Sequence, residues 1–117
     1  PIALNNLAYL LSGHPSTLEE AYRLARQALE LAPQQPNFSD TLAWVYLKRN
    51  MADAALQILT SLVRRFPDSP VFRYHLGATL LEKGDKVRAK QELQTALGKK
   101  PGKEDESRIK ELIARIG

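Results

Sequence analysis

Few side chains in this 117-residue sequence have the types and spacing that catalysis requires. There is no cysteine, and the two histidines, His14 and His75, are isolated from each other and from any recognisable nucleophile or carboxylate pair. Catalysis would need a nucleophile with a base, paired carboxylates or a metal cluster, and no glycine-rich phosphate loop is present either. The sequence therefore predicts a protein that is not an enzyme and that uses no cofactor and no metal.

Side chains suited to binding are more frequent. Asparagine amides can donate to and accept from a peptide backbone, and aromatic rings supply a large contact area at low entropy cost. Stepping by three or four residues places such side chains on one stripe in each of three predicted helices. The candidate binding residues are Asn5, Asn6, Tyr9, Asn37, Asp40, Thr41, Trp44, Lys48, Tyr74 and His75.

The elements that must position these stripes repeat with a fixed period. Pro33, Pro67 and Pro101 are 34 residues apart, and the same shift superposes Leu42 on Leu76. Leu7 and Ala8 match Leu42 and Ala43 only at a shift of 35, whereas Ala21 matches Ala55 at 34. The first unit therefore carries one extra residue, which falls in the loop-like segment 12–16. A period of this length indicates a repeat architecture.

Each unit is predicted to contain two helices. The first helices span residues 2–12, 37–49 and 71–83, and the second helices span residues 17–31, 52–65 and 86–99. No segment alternates with a period of two, so no sheet is predicted.

The predicted helix ends carry recognisable signals. Ser69 and Asp85 are suited to N-cap positions, whereas Asn50 and Gly84 stand where a helix ends in a left-handed residue. Ser16 with Glu19, or Thr17 with Glu20, has the spacing of a capping box. Pro36 and Pro70 suit a first helical turn.

A different element follows the third unit. Residues 104–116 place Ile109, Leu112, Ile113 and Ile116 on one apolar stripe and charged residues elsewhere. Such a one-sided helix fits the terminal element that a stack of repeats needs to bury its last apolar face. Because no equivalent element precedes Ile2, we expect the array to continue on its N-terminal side.

These units resemble the tetratricopeptide repeat (TPR) family, whose 34-residue pattern is W-x2-L-G-x2-Y, then A-x3-F, then P. The second unit carries Leu42-Ala43-x2-Tyr46, Ala55-x3-Leu59 and Pro67, and the third carries Leu76-Gly77-x2-Leu80, Ala89-x3-Leu93 and Pro101. The resemblance implies an all-α, right-handed solenoid within a single domain. It implies three repeats, at about residues 2–35, 36–69 and 70–103, with a C-terminal capping helix at about 104–116.

The resemblance also implies that the candidate residues line a concave face. We therefore expect a non-enzymatic protein-interaction scaffold that binds a peptide or a helix there. A second hypothesis is a structural role, as the C-terminal cap of a longer array or as a segment that self-associates through its uncapped first repeat. A third hypothesis is salt-sensitive binding of an anionic polymer such as RNA or an acidic polysaccharide, because residues 61–117 carry thirteen basic and eight acidic side chains.

The basic residues of the second half favour helix ends, such as Arg64-Arg65 and Lys99-Lys100, where cations stabilise the helix dipole. We therefore do not expect nucleic acid as a partner. More narrowly, segments 4–11 and 40–46 look like repeat arrays of bacterial envelope and exopolysaccharide-associated proteins. No apolar run is long enough for a membrane span, and both a cytoplasmic and a periplasmic location agree with the sequence.

Overall fold

The computed structural model describes residues 1–117, and its regular elements are all helical. The seven α-helices are α1 (Ile2–Leu11), α2 (Leu18–Leu31), α3 (Pro36–Lys48), α4 (Ala52–Arg65), α5 (Pro70–Glu82), α6 (Lys86–Gly98) and α7 (Lys103–Ile116). A short 3₁₀ turn at Pro15–Thr17 precedes α2. This confirms the predicted all-α class, and the predicted helix bounds lie within about one residue of those observed.

Several predicted helix ends are confirmed by their hydrogen bonds. Ser69 Oγ accepts from the Phe72 N–H at 3.3 Å, and Asp85 Oδ1 accepts from the Arg88 N–H at 3.2 Å. Each side chain satisfies one of the amide groups that have no partner within the first helical turn. Pro36 and Pro70 occupy the first positions of α3 and α5, where no intrahelical N–H is needed.

The left-handed helix ends are also confirmed. Asn50 has a φ of 64° and Gly84 a φ of 86°. After α5, the Gly84 N–H donates to the Leu81 carbonyl and the Asp85 N–H to the Leu80 carbonyl, both at 3.0 Å. This pair of bonds is the Schellman arrangement, which reverses the chain after the first helix of a repeat.

The predicted capping box at the start of α2 is wrong. Thr17 is the N-cap residue, but its hydroxyl makes no bond to the helix amides. The Thr17 hydroxyl instead donates to the Leu11 carbonyl at 2.6 Å and approaches the His14 carbonyl at 3.2 Å. The extra residue of the first unit is absorbed by the 3₁₀ turn, which directs this hydroxyl back to the end of α1.

The chain forms two compact units, residues 1–58 and 59–117. In unit 1, helices α1, α2 and α3 are in mutual contact. Its core consists of small and branched side chains, with larger apolar residues packed around them. The core cluster is Ala8, Ala21, Leu24, Ala25, Leu42 and Val45, bordered by Leu4, Leu11, Tyr22, Leu29 and Tyr46.

In unit 2, α5 packs along α6, and α7 packs against both. Ile109 is the residue of α7 that becomes fully buried, while the rest of its predicted apolar stripe is half-buried. Acidic residues occupy the first turn of α7 and Arg115 its last turn, as the helix dipole favours. None of the helices is both long and apolar enough to cross a membrane.

Candidate functional site

The candidate residues of unit 1 centre on an aromatic pair that joins α1 to α3. The Tyr9 and Trp44 rings stack with centroids 6.5 Å apart and planes inclined by 28°. The Lys48 Nζ lies 4.6 Å from the centroid of the Trp44 ring, a distance at which a cation–π interaction stabilises the ammonium group. Trp44 is 8% exposed, whereas Tyr9 is 40% exposed. We call this group, Tyr9, Trp44 and Lys48, the aromatic cluster.

Asparagine side chains lie on the same two helices. Asn6 and Asn37 are exposed, and Asn5 is half-buried. The Asn5 Oδ1 atom is inaccessible to solvent and accepts no hydrogen bond. A buried acceptor without a partner typically costs about 1–3 kcal/mol, so the hydrogen bonding of Asn5 is incomplete in the chain as it stands.

Two further candidates in α3 lie inside the protein. Asp40 is 5% and Thr41 is 4% exposed. The Thr41 hydroxyl donates to the Asn37 carbonyl at 3.1 Å, one helical turn earlier. Neither side chain therefore presents an appreciable surface of its own to a partner.

The candidates of unit 2, Tyr74 and His75, are buried as well. Tyr74 is 3% exposed and His75 has no exposed surface. Their rings lie 5.0 Å apart and are tilted by 48°. Charged residues of α7, among them Arg108 and Asp105, act on the Tyr74 hydroxyl. This places Tyr74 beside α7.

Burial raises the pKa of Tyr74 to about 12, and this has a testable consequence. In the unfolded chain the pKa returns to about 10. The neutral Tyr74 side chain therefore makes its full contribution to the free energy of unfolding below pH 10, and this contribution is lost as the pH rises from 10 to 12. We expect this one group to remove on the order of 1–2 kcal/mol over that interval, allowing for partial solvent screening. Urea unfolding at pH values across the interval measures the loss.

The Tyr74→Phe variant is the control for this prediction, because it keeps the buried ring and removes the ionising hydroxyl. Its alkaline loss of unfolding free energy should be smaller than that of the parent chain. Equal losses in the two proteins would mean that other groups, such as lysines, account for the pH dependence.

A second cluster was not anticipated from the sequence. The Tyr22 ring on α2 lies 4.1 Å from the Arg49 guanidinium carbon and 5.7 Å from that of Arg26. The Arg26 Nη1 donates to the Tyr22 hydroxyl at 3.1 Å, and this bond lowers the pKa of Tyr22. Arg49 also pairs with Glu19 at 2.9 Å. No local spacing in the sequence links Tyr22 in α2 to Arg49, which follows α3.

A shallow groove of about 670 Å³ runs beside this cluster on α2. Its charges are matched by ion pairs, since Arg23 pairs with Glu20 at 2.6 Å, Arg26 approaches Glu30 at 3.9 Å, and Glu19 pairs with Arg49, which follows α3. The lining residues are Glu19, Glu20, Tyr22, Arg23, Arg26, Gln27 and Glu30. The balanced charge selects no ligand of one sign.

The side chains that could ligate a metal ion lie apart from one another. No group of three or more histidine, cysteine or carboxylate side chains is placed to hold a metal ion. His14 lies exposed before the 3₁₀ turn, as expected for a loop residue, and His75 is enclosed in α5.

Comparison with known proteins identifies the repeat. A sequence profile of the tetratricopeptide repeat matches residues 16–70 and 51–116. The chain belongs to the tetratricopeptide repeat family. The small-residue positions of the TPR pattern agree with the packing, since Ala8 and Ala43 have no exposed surface and Gly77 is also buried. The TPR assignment made from the sequence is therefore confirmed.

One curated relative is the TPR repeat-containing protein PA4667 of Pseudomonas aeruginosa. It is 35% identical over 77 residues, which is 65% of this chain. The match spans 13% of the relative's length. The activity and partners of the whole relative are therefore not assigned to this chain.

Solved structures share the TPR fold over nearly the whole chain. The Yersinia enterocolitica type III secretion chaperone SycD, in complex with a peptide of the translocator YopD, has a TM-score of 0.74 at 20% identity. This match covers 97% of this chain and 89% of SycD. The Sgt2 TPR domain from Aspergillus fumigatus has a TM-score of 0.78 at 17% identity, over 97% of this chain and 74% of that one.

The TPR fold is that of a protein-interaction scaffold. The coarse function predicted from the sequence agrees with this. The repeat boundaries within a single domain, the link to envelope or exopolysaccharide proteins and the cellular compartment stay predictions.

Proposed function

We propose that this TPR chain binds a peptide or a helix of a partner protein on its concave face, and that in unit 1 the contact is made by α1 and α3. The observation that carries the proposal is the aromatic cluster, in which the accessible Tyr9 ring is stacked on a buried Trp44. A rigid aromatic surface gives a partner large contact area without loss of much side-chain freedom.

Five of the ten candidate residues have accessible surface for direct contact. Exposed amides at Asn6 and Asn37 flank the aromatic cluster, and amides can pair with a peptide backbone through a donor and an acceptor. The Lys48 ammonium group adds one positive charge beside Trp44. The residues proposed to touch the partner are Asn5, Asn6, Tyr9, Asn37 and Lys48.

The other five candidates have a supporting role in the proposal. Trp44 holds the Tyr9 ring, and the Thr41 hydroxyl bonds to the carbonyl of Asn37. In unit 2, the buried Tyr74 and His75 stabilise α5. The supporting residues are Asp40, Thr41, Trp44, Tyr74 and His75.

The complex of SycD with a YopD peptide supports peptide binding as a use of this fold. SycD shares 20% identity with this chain, so it supports the mode of binding and not the identity of a partner. For this chain the partner is proposed only as an extended peptide or a helix that carries hydrogen-bonding and apolar groups.

A peptide-display selection tests the proposal without knowledge of the natural partner. Peptides are selected from a random library against the parent chain, and their affinities are then measured for an Asn6→Ala, Tyr9→Ala double variant. Removal of an accessible aromatic anchor typically costs 2 kcal/mol or more, so we expect affinity to fall by roughly thirtyfold. Both positions are on the surface, so the variant should keep the parent's helicity.

The matched control is a Val87→Ala, Gln94→Ala variant, in which two exposed residues of α6 are truncated instead. Selected peptides should bind this control as they bind the parent. If most selected peptides bind the Asn6 and Tyr9 variant with unchanged affinity, the α1 and α3 face is not the binding site.

The ion pairs of unit 2 argue against binding of an anionic polymer, because they pair basic side chains with carboxylates of the same chain. Arg73 pairs with Glu92 and Lys99 pairs with Asp68, at 2.9 and 2.8 Å. Further pairs join Arg88 to Asp85, Arg108 to Glu104 and Lys110 to Glu106. Because polyanion binding weakens steeply with salt, repeating the affinity measurements at low and moderate salt distinguishes this alternative.

The alternative of a structural role as a C-terminal cap is supported by α7. Its Ile109 side chain is buried in unit 2, and charged side chains cover most of the remaining surface of the helix. A capping role and a binding role reside in different helices and are compatible. Variants of α7 should change stability, whereas variants of Asn6 and Tyr9 should change binding.

A further inference from the structure

Three side chains converge on the hydroxyl of Tyr22, a residue of α2 that the proposed peptide binding does not use. The Arg26 Nη1 donates to this oxygen at 3.1 Å, and the Tyr46 hydroxyl acts on it from α3, with the two tyrosine ring centroids 5.8 Å apart. The guanidinium carbon of Arg49, the residue after α3, lies 4.1 Å from the centre of the Tyr22 ring. We call Tyr22, Arg26, Tyr46 and Arg49 the Tyr22 cluster.

The Tyr22 cluster favours the ionised form of the Tyr22 phenol. Hydrogen bonding with Arg26 and then with Tyr46 lowers the pKa of Tyr22, and the charges of Arg26 and Arg49 lower it further. The pKa of Tyr46 moves in the opposite direction, because burial and its interaction with Tyr22 raise it. Of these two phenols, Tyr22 therefore loses its proton more readily and supplies the better nucleophile.

The Tyr22 side chain can be reached from solvent. Tyr22 is half-buried and lines the open groove of about 670 Å³ on α2. Tyr74, in contrast, is 3% exposed. An electrophile can therefore approach Tyr22 through the groove, while Arg26 and Arg49 hold the ring from the other directions.

The charges beside the hydroxyl select the kind of group that it would carry. A phosphoryl group on tyrosine has close to two negative charges at neutral pH and three strong acceptor oxygens. Arg26 and Arg49 approach from different elements, so a phosphoryl group on Tyr22 lies beside both guanidinium groups. Hydrogen bonds between guanidinium and phosphate groups are charge-assisted and are stronger than bonds between neutral groups. A neutral substituent such as an acetyl group would gain none of these bonds.

The carboxylates that pair with the two arginines are free to move away. Glu30 lies 3.9 Å from Arg26, and its side chain is 71% exposed. Glu19 pairs with Arg49 at 2.9 Å, but its side chain is 81% exposed and can turn into solvent. Exposed ion pairs of this kind contribute little to stability. A dianion attached covalently to Tyr22 therefore displaces both carboxylates from the arginines.

We infer that Tyr22 is a phosphorylation site whose phosphate is held by Arg26 and Arg49, which joins α2 more firmly to the end of α3. In the reaction the Tyr22 oxygen forms a bond to the terminal phosphorus of a nucleoside triphosphate that a separate kinase supplies. The bond from this phosphorus to the bridging oxygen breaks, the nucleoside diphosphate leaves, and the phenol proton passes to a base of the kinase. The site is independent of the proposed peptide-binding face.

The product can be tested without a kinase by incorporating phosphotyrosine at position 22 during synthesis of the full chain. Because two charge-assisted contacts replace two exposed ion pairs, we expect Tm to rise by roughly 4 °C over the unphosphorylated chain. In an Arg26→Gln, Arg49→Gln chain the same phosphate should give no rise over its own unphosphorylated form. The matched control is Arg23→Gln on the same helix, which should keep the full rise, since Arg23 pairs with Glu20.

A fluorophosphonate reagent measures the reactivity of the same oxygen in the unmodified parent chain. The Tyr22 oxygen forms a bond to phosphorus, the bond from phosphorus to fluorine breaks, fluoride leaves, and the phenol proton passes to solvent. Mass spectrometry of the digested protein gives the labelling rate at each tyrosine. We expect Tyr22 to react at least roughly threefold faster than Tyr9, although Tyr9 is 40% exposed.

Three results would overturn the inference. The first is a phosphorylated chain whose Tm is unchanged or lowered. The second is a rise in Tm that persists in full when Arg26 and Arg49 are both replaced by glutamine. The third is labelling of Tyr22 that is no faster than labelling of Tyr9. Because the first and third results come from chains that keep both arginines, they decide the matter even if the double variant does not fold.

Discussion

Replacing Gly77 with valine should lower the free energy of unfolding by about 3 kcal/mol, because the space beside this residue is already filled. A Cβ atom at Gly77 would lie 2.7 Å from the Leu93 Cγ and 3.3 Å from the carbonyl oxygen of Ala89. Leu93 is fully buried and cannot move towards solvent. The close approach of α5 to α6 therefore requires a residue without a side chain. Urea unfolding followed by circular dichroism measures the loss.

Gly98 provides the matched control, since no atom other than those of its chain neighbours and the adjoining helix backbone lies within 4 Å of the position where its Cβ would be. The Gly98→Val change should alter stability by less than about 0.5 kcal/mol. A double-mutant cycle gives a sharper test. Leu93→Ala removes the clashing atoms, so the valine should cost at least about 1 kcal/mol less in that background. An equal cost in both backgrounds would contradict the packing explanation.

Replacing Ile109 with alanine should cost about 3 kcal/mol of unfolding free energy, within the usual range for a large aliphatic residue in a core. Ile109 is the one residue of α7 with no exposed surface, and α7 packs against both α5 and α6. The truncation leaves a cavity that rigid neighbours cannot fill. The measurement is again urea unfolding, with the midpoint and the slope compared with the parent.

Val87→Ala is the control for the Ile109 variant, because it shortens a β-branched side chain on a helix where 71% of its surface is exposed. It should leave stability unchanged or slightly raised, since alanine favours the helix. A loss below about 1 kcal/mol for Ile109→Ala would mean that α7 is weakly attached. The capping role would then lose its structural basis, while the proposed peptide binding by α1 and α3 would be unaffected.

The Gly77→Val and Ile109→Ala variants, compared with the Asn6→Ala, Tyr9→Ala variant, separate effects on stability from effects on binding. Gly77 and Ile109 lie in unit 2 and have no accessible contact surface, so they should affect folding first. Asn6 and Tyr9 lie on the surface of unit 1 and should affect binding with little change in stability. A binding loss in the Gly77 or Ile109 variants at temperatures where they stay folded would instead indicate that unit 2 takes part in binding.

Local signals in the sequence predicted the helix ends because those ends depend on groups a few residues apart. The Ser69 and Asp85 caps bond to amides three residues later, and Asn50 and Gly84 adopt the left-handed conformation needed for the reversal. The failed capping box has the opposite cause. The Thr17 hydroxyl bonds to the Leu11 carbonyl, which only the path of the extended loop brings within reach.

The exposure of the candidate binding residues could not be predicted from the sequence. Tyr9 and Trp44 occupy the same position of the repeat, yet their exposed fractions are 40% and 8%. Leu7 and Leu42 are also equivalent, yet one is 44% exposed and the other is buried against neighbours that include α2. The repeat pattern predicts the same burial for equivalent positions, whereas the observed exposure depends on which helices pack against each position.

The sequence by itself determined the repeat period, the helical class, most helix ends and the family, because these follow from residue types at short and regular spacing. The tertiary structure alone decided which candidate residues remain accessible and how Tyr9 stacks on Trp44. These features arise between helices that are distant in sequence, and burial there depends on the close packing of side chains from several elements at once.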